Sequence, residues 1–533
     1  MPTLTWVGKD KVVNHHHDVP FKVLRHESHF DAPEGSPVNS TGNRIIHGDN
    51  LEALKSLLPE FEGKVNCIYI DPPYNTGNEG WAYNDAVNDP KIKKWLGQVV
   101  GKEGEDLSRH DKWLCMMYPR LKLLHRLLAK DGVIFVSIDV FEFSYLKPIM
   151  DEIFGALNFR NCISVRRGIK NVQSQFEDLK ALSVGHEYIF LYSKSPDKKL
   201  PKLSKKHDVT KPGKWDTFWR GTDRATMRYE LLGVNPESGQ WRWEKGRTTK
   251  AVKAYEDFLA IESNEVILDD YFLDHLQATN EKLDFVRLSN DGVVQYYVPP
   301  QDGKLASDNW MDITLSGSFT SFITEKNVEI LDRIINWVTL ENSNAIILDS
   351  FAGSGTTAHA VLKLNIQDGG NRRFILIEME YYADTITAER VRRVISGYGE
   401  GTKKVAGLGG SFDYYTIGEA IFNPDDTLNE AVGIEVIRHY VAYSEGIPNE
   451  DQTQQDNTYT PYLMGLNSDT AWLFYYEPNE VTCLDLDFLN TLKFGAAKPG
   501  TAIIYADKCL LTKEFMTQYS IIFKKIPRDI TRF

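Results

Sequence analysis

A chain of 533 residues is too long for one hydrophobic core and calls for two to four domains. With 42% hydrophobic and 12% aromatic residues it is not a disordered chain, and a net charge of −13 excludes a protein whose whole surface coats nucleic acid. Five scattered cysteines, at 67, 115, 162, 483 and 509, speak against a disulfide framework or a zinc cluster, and the lack of an apolar leader or of any run of about 18 uncharged apolar residues predicts a soluble, cytoplasmic protein without membrane contact.

Residues 1–43 read as an arm and linker, carrying His15-His16-His17 and a Pro/Gly/Ser/Asn patch over 33–43. Adjacent histidines point different ways and no partner ligands cluster with them, so no metal is expected. From Arg44, strand and helix alternate: a strand at 45–46, a helix over 51–58, a strand over 67–70, a helix over 113–128, a strand over 132–138 and a helix through Phe154. Pro119 should kink or restart the fourth of these. Residues 44–157 thus supply half of a doubly wound α/β sheet. Over 158–310 the alternation lapses, and a strand-like stretch at 186–192 gives way to Lys- and Trp-rich sequence that reads as an inserted domain. Periodicity returns over 311–404 with a helix over 325–340, a strand over 345–348, a glycine turn, a helix through Leu364, a strand over 374–377 and a helix through Ile395. That is the other half of the sheet. Spaced glycines over 396–410 mark the boundary to a C-terminal domain, 405–533.

Two turns carry the chemistry. Ile70-Asp71-Pro72-Pro73-Tyr74 ends one apolar run and Asp349-Ser350-Phe351-Ala352-Gly353-Ser354-Gly355-Thr356-Thr357 ends another, so both stand at strand ends, where open α/β sheets place ligands. In the first, Pro72 and Pro73 fix φ, remove two backbone donors and leave carbonyl acceptors. An exocyclic base amine needs acceptors. The Asp71 carboxylate and the Pro72 carbonyl can take its two hydrogens as the nitrogen turns tetrahedral, a preorganised role of about 3 kcal/mol per group. Tyr74 reads either as a ring that stacks on a base drawn out of its duplex or as a buried ring in a rigid turn. Asn75, Thr76 and Gly77 continue towards the rim.

The glycine turn lets backbone approach a nucleoside closely, which makes Asp349, Phe351, Ala352, Gly353, Ser354, Gly355 and Thr356 candidate cofactor contacts. A phosphate-binding loop would place Lys after its last glycine, whereas Thr356 stands here, so a nucleoside triphosphate is disfavoured. Glu378, at the end of the next strand, can accept ribose hydroxyl protons, with Glu380 as its alternative. Asp49 reads equally as an acceptor for an adenine amine or as a helix N-cap, with Asn50 as rival cap.

Charge is uneven along the chain. Residues 194–253 hold sixteen basic and seven acidic side chains, while 419–480 is acidic. Arg220, Arg224, Arg228, Arg242, Lys245 and Arg247, with Lys211 and Lys214, interleave with Trp215, Trp219, Trp241 and Trp243. The basic groups suit phosphate neutralisation and are the candidate DNA contacts. The tryptophans read more simply as the core of a small domain, with base contacts as the alternative.

Taken together, with the catalytic turn first and the glycine loop last, the two motifs resemble the β arrangement of DNA amino-methyltransferases that use S-adenosylmethionine. Ile46-His47-Gly48-Asp49-Asn50-Leu51-Glu52-Ala53-Leu54, residues 69–77, Gly132-Val133-Ile134-Phe135-Val136-Ser137-Ile138-Asp139, Gly185-His186-Glu187-Tyr188, Trp241-Arg242-Trp243 and residues 347–360 are similar to modification subunits of type III restriction-modification systems. This resemblance implies a Rossmann-like methyltransferase fold with circularly permuted motif order, methylation of the adenine N6 amine in double-stranded DNA, a target-recognition insert, a homodimer and a separate restriction subunit. Two departures are visible. Val140-Phe141-Glu142 follows Asp139 where such proteins often have Asp-Asn-Glu, which bears on pocket packing, and Thr324-Glu325-Lys326-Asn327 stands where Lys-Pro is common, which bears on cofactor contacts from Thr324 and Lys326.

Rival readings are a methyltransferase of the cytosine N4 amine, which more often has Ser in place of Asp71, one acting on protein glutamine, which usually has Asn there, and a non-catalytic DNA-binding partner that keeps the fold. No cysteine follows a proline, so the usual nucleophile for methylating a cytosine ring carbon is missing. No Gly-x-x-x-x-Gly-Lys-Ser/Thr occurs either, so helicase and cleavage work would need another polypeptide.

Overall fold

The structure is a computed structural model that describes residues 3–75, 94, 97–100, 108–168, 182, 184–261, 266–279, 281–314, 319–320, 322, 325–453, 459–527 and 530. Thr76, Gly77 and Thr324 lie outside these residues. Two compact units form, residues 1–201 with 308–533, and residues 202–307.

The first unit is built on a ten-stranded sheet. In chain order its elements are β1 (Lys22–Asp31), β2 (Asn43–His47), α1 (Asn50–Phe61), β3 (Val65–Ile70), α2 (Arg109–Leu127), β4 (Leu128–Ile138), α3 (Phe143–Phe154), β5 (Phe159–Arg166), β6 (His186–Ser193), β7 (Asn309–Trp310), α4 (Val328–Val338), β8 (Ile346–Asp349), α5 (Thr356–Asp368), β9 (Arg373–Glu378), α6 (Glu389–Ser396) and β10 (Ser411–Ala420). The strand order is β1-β10-β2-β9-β8-β3-β4-β6-β5-β7. From β10 to β4 neighbouring strands are parallel, while β6 runs antiparallel to both β4 and β5. Strands from the back of the chain, β8 and β9, are thus inserted between β2 and β3 from the front, which is the permuted doubly wound arrangement. Ile347 lies opposite Cys67 and Leu348 opposite Ile68, so Asp349 and Asp71 emerge from adjacent strand ends. Such a switch point is where open α/β sheets hold their ligands.

The central strands are covered on both faces, which is why Val65-Asn66-Cys67-Ile68-Tyr69-Ile70 reads as an apolar run and not as an alternation. Leu54, Leu57, Leu114, Leu121, Leu124 and Ile149 are almost wholly buried in one core with Ile68, Ile134 and Leu348. Each such side chain stabilises the fold by about 1.5–3 kcal/mol. Pro119 does not break α2. It sits inside a continuous helix, where Arg120 Nη1 donates to the Met116 carbonyl at 2.8 Å, next to the backbone bond that the proline lacks.

Four boundaries differ from the sequence reading. Residues 22–31 are not an arm but the edge strand β1, antiparallel to β10; their polar side chains follow from one exposed face. The inserted unit starts at Lys202 rather than 158 and ends at Ser307 rather than 310, because β5, β6 and β7 belong to the main sheet. β10 does the same for residues assigned to the tail. Beyond it, Leu463–Leu466, Thr470–Phe474, Thr501–Ala506 and Ile521–Lys525 form a second sheet, and Tyr443 of the helix Ile434–Ser444 donates to Glu62 of the core. His15–Asp18 is a helical turn whose His16 carbonyl accepts from Lys55 Nζ at 2.9 Å. All five cysteines are free. No helix among the described residues is long and apolar enough to cross a membrane.

The second unit, residues 202–307, has a three-stranded antiparallel sheet of Val286–Leu288, Val294–Val298 and Lys214–Thr217, with helices Lys245–Leu259 and Leu268–Thr279. Its charge is divided by sequence half: thirteen basic against six acidic residues over 202–253, three against eleven over 254–307.

Candidate active site

β3 delivers Asp71 at its end, and the turn that follows is tied down at its middle, where Trp113 Nε1 of α2 donates to the Pro73 carbonyl at 2.7 Å. The Tyr74 hydroxyl donates to Asp71 Oδ1 at 2.7 Å. Lys326, just ahead of α4, donates to the Tyr74 hydroxyl at 2.7 Å and to Glu187 Oε1 at 2.8 Å, and its Nζ lies 3.1 Å from Asp71 Oδ1. Glu187, from β6, places Oε2 3.2 Å from the same hydroxyl. Two carboxylates, one ammonium and one phenol therefore share a closed, largely buried cluster.

Burial pushes the Asp71 carboxyl above its usual range, with the Lys326 charge working against it. Burial alone would lower the Lys326 ammonium, but Asp71 and Glu187 outweigh it and leave that group raised. The Tyr74 phenol is held neutral by burial and by the neighbouring carboxylates.

The glycine loop is built differently, chiefly from backbone. Asp349 ends β8 and accepts from the Phe351 N–H at 3.0 Å and the Thr357 hydroxyl at 2.6 Å. The Ala352 N–H donates to Ile377 of β9 at 3.1 Å. Gly353 and Gly355 have φ of 52° and 79°, and a Cβ on them would meet the Phe322 ring and the Thr387 carbonyl at 3.1 Å each. Glu378 accepts from the Gly353 N–H at 2.8 Å and the Glu380 N–H at 3.0 Å. Burial lifts both carboxyls, Asp349 and Glu378, to about 7. Arg390 Nη1 braces the loop from behind, donating to Ser354 Oγ and Thr356 Oγ1 at 2.9 Å each and pairing with Glu325 at 2.8 Å.

The two turns are joined through shared partners. The Thr356 hydroxyl donates to the Lys326 carbonyl at 3.4 Å, while the Lys326 side chain reaches Asp71 and Tyr74. Asn50 Nδ2 donates to the Ser350 carbonyl at 3.0 Å. Ser350 Oγ is buried without a hydrogen-bond partner among the described residues. An orphaned hydroxyl, two lifted carboxyls and a loop with positive φ at two glycines fit a polar nucleoside-like ligand.

Of the two readings the sequence left open for Asp49, the hydrogen bonds show the cap. Asp49 serves as the N-cap of α1, accepting from the Leu51 N–H at 2.7 Å and pairing with Arg120 at 3.3 Å, while Asn50 bridges to Ser350 instead. Val140 and Phe141, the departures from the family pattern, are exposed and lie outside the core. The shared residue Glu142 is buried and accepts from Asn75 Nδ2 at 2.5 Å, and burial lifts its carboxyl to about 8. Lys326 points to the catalytic turn, and Asn327, in the place of the common proline, caps α4 through a bond from the Glu329 N–H at 3.0 Å.

In the insert, Arg220, Arg224 and Lys245 are exposed. Arg228 pairs with Asp223, Arg247 with Asp284 at 2.6 Å, and Arg242 stacks over the Tyr296 ring, so half of the candidate basic set has structural work. Trp241 is buried with Phe218 and Val294, whereas Trp219 is 43% exposed beside a cleft of about 290 Å³ lined by Val234, Pro236, Trp241 and Val293. The contacts of Lys326 with Asp71 and of Glu187 with Lys326 were not assigned from sequence; the only signals were the place of Glu187 in a stretch similar to modification subunits and that of Lys326 where such proteins often have Lys-Pro.

Known proteins resemble the chain over most of its length. It is 31% identical to the probable type III restriction-modification enzyme HindVI Mod subunit of Haemophilus influenzae, over 72% of this chain and 54% of that one. The StyLTI Mod subunit of Salmonella typhimurium is 30% identical over 66% and 57%, and the type II methyltransferase M.KpnI of Klebsiella pneumoniae 32% over 65% and 82%. The chain thus spans little more than half the length of the two Mod subunits. Residues 65–389, from the start of the strand that carries Asp71 to the helix behind the glycine loop, match the N6/N4 methyltransferase family, described as DNA methylase, and with both turns inside that match the chain is a member of this family.

Proposed function

We propose that the chain is a site-specific DNA methyltransferase that places a methyl group on the N6 amine of adenine in duplex DNA, as the modification subunit of a type III restriction-modification system. In this reading it works in the cytoplasm as a homodimer, beside a separate restriction subunit. S-adenosylmethionine, bound at the glycine loop, supplies the activated methyl. The observation that carries the reading is the meeting of Asp71-Pro72-Pro73-Tyr74 with the loop 349–356 at adjacent strand ends, bridged by Lys326.

Asp349, Glu378 and the loop backbone hold the cofactor's nucleoside part. Asp71 and the Pro72 carbonyl accept the two hydrogens of the target amine, which aligns its nitrogen with the methyl donor and favours tetrahedral geometry there. Tyr74 presents a ring face to the extruded base. Asp71 and Glu187 outnumber Lys326, and the resulting net negative charge favours a sulfonium nearby. Exposed Arg220, Arg224 and Lys245 neutralise phosphates. Incubation with S-adenosylmethionine and plasmid DNA, followed by mass spectrometry of the digested bases, tests the reading. It predicts N6-methyladenine; N4-methylcytosine or unmodified DNA would refute it.

A further inference from the structure

We infer that Lys326 and Glu187 are positioning residues for the transfer step: Lys326 holds Asp71 as an ionised acceptor for the target amine, and Glu187 seats Lys326 and moderates its pull. This rests on the methyl-transfer reading above.

A carboxylate sealed from water loses its charge unless a cation faces it. The cation in contact with Asp71 is the Lys326 ammonium, 3.1 Å from Oδ1. Tyr74 donates to that same oxygen, so both neighbours address Oδ1 and leave Oδ2 to the incoming amine. Glu187, 7% exposed, also accepts from the ammonium, at 2.8 Å. Without it, Lys326 would pair with Asp71 alone and tie the carboxylate more tightly. With it, the ammonium is divided between two anions, and one can turn to the substrate while the other retains it. The titratable groups that face Asp71 are Tyr69 and Tyr74 from its own strand and turn, Glu187 from β6, Lys326 ahead of α4 and Asp349 from β8. Tyr69 bonds to Ser137 at 2.8 Å and stays neutral, so against the burial that raises the Asp71 carboxyl the main charged neighbours are Lys326 and Glu187, which act in opposite directions.

The opposition makes the inference testable by sign. Single-turnover methyl transfer to duplex DNA is followed between about pH 5 and 9 for wild type, Lys326→Met, Lys326→Arg and Glu187→Gln. Lys326→Met should move the acid limb of the rate profile upward by about one pH unit or more, because Asp71 loses its cation. Glu187→Gln should move it downward, because a repelling carboxylate is removed. Lys326→Arg should restore the wild-type limb with a lower plateau. A merely structural role for the two residues would lower both rates without opposite shifts. Thermal unfolding of each variant reports whether it folds; should Lys326→Met fail, the direction of the Glu187→Gln limb decides alone. Limbs that coincide, or that move the same way in both charge variants while wild type methylates DNA, overturn the inference. A wild-type protein that transfers no methyl overturns the reading beneath it, and the inference with it.

Discussion

The catalytic cluster and the basic stretch of the insert are both rich in charge, yet they use it in opposite ways. Around Asp71, two carboxylates each lie within about 3 Å of one ammonium, and the cluster is largely buried. In the insert, Arg220, Arg224 and Lys245 stand in solvent, and their neighbours Arg228 and Arg247 are occupied by surface pairs with Asp223 and Asp284. Buried charge acts strongly because it is little screened, whereas exposed charge is screened within about 10 Å at moderate salt. On the proposed reading, the chemistry takes place at the sheet ends and the exposed basic residues of the insert meet the phosphates of DNA.

Substitutions can break this contrast. The largest effect on cofactor binding is expected in the glycine loop: Gly355→Val places a branched Cβ at φ of 79° and against the Thr387 carbonyl. Strain of about 1–3 kcal/mol should weaken S-adenosylmethionine binding by roughly 5- to 150-fold, read by calorimetry. A smaller effect follows from Glu378, lifted to about 7. A carboxyl with a raised value is anionic above that pH and neutral below it, so its capacity to accept ribose hydroxyls is present above about 7 and is lost as pH falls through 7. Cofactor affinity should fall accordingly, and Glu378→Gln should make the dependence shallower, with Asp349 responsible for what remains. A pH-independent affinity between about 6 and 8 would contradict this. The smallest effect sharpens the contrast within the insert. Arg224→Ala should lower DNA affinity a few-fold and reduce the slope of log affinity against log salt by about 0.9, as one phosphate contact would. Arg247→Ala removes an Asp284 partner instead, and should leave that slope unchanged.

Much of the sheet was legible before any coordinates, for physical reasons. β3, β4, β8 and β9 are covered on both faces over most of their length, so each appears as a largely apolar run between amphipathic helices. β1 and β5 were missed as strands of this sheet because Lys22–Asp31 shows exposed polar side chains along an edge and Phe159–Arg166 mixes polar residues into its alternation. Asp71 and Gly353 were legible because their local stretches carry backbone requirements, two prolines in one and positive φ in the other. The partnership of Lys326 with Tyr74 and Glu187 was not, since it joins residues 252 and 139 positions apart, and no local pattern encodes such a pair. Asp49 shows the converse: a cap and a ligand contact ask for the same carboxylate at the same place, and the structure realises the cap.

The account depends most on Asp71 as the acceptor for the target amine, and one paired measurement addresses that directly. Asp71→Ala protein is assayed for S-adenosylmethionine binding and, on the same preparation, for single-turnover methyl transfer to duplex DNA. Binding close to that of wild type, with transfer slowed by about 100- to 1000-fold, is the predicted result. Transfer near the wild-type rate with binding intact would contradict it.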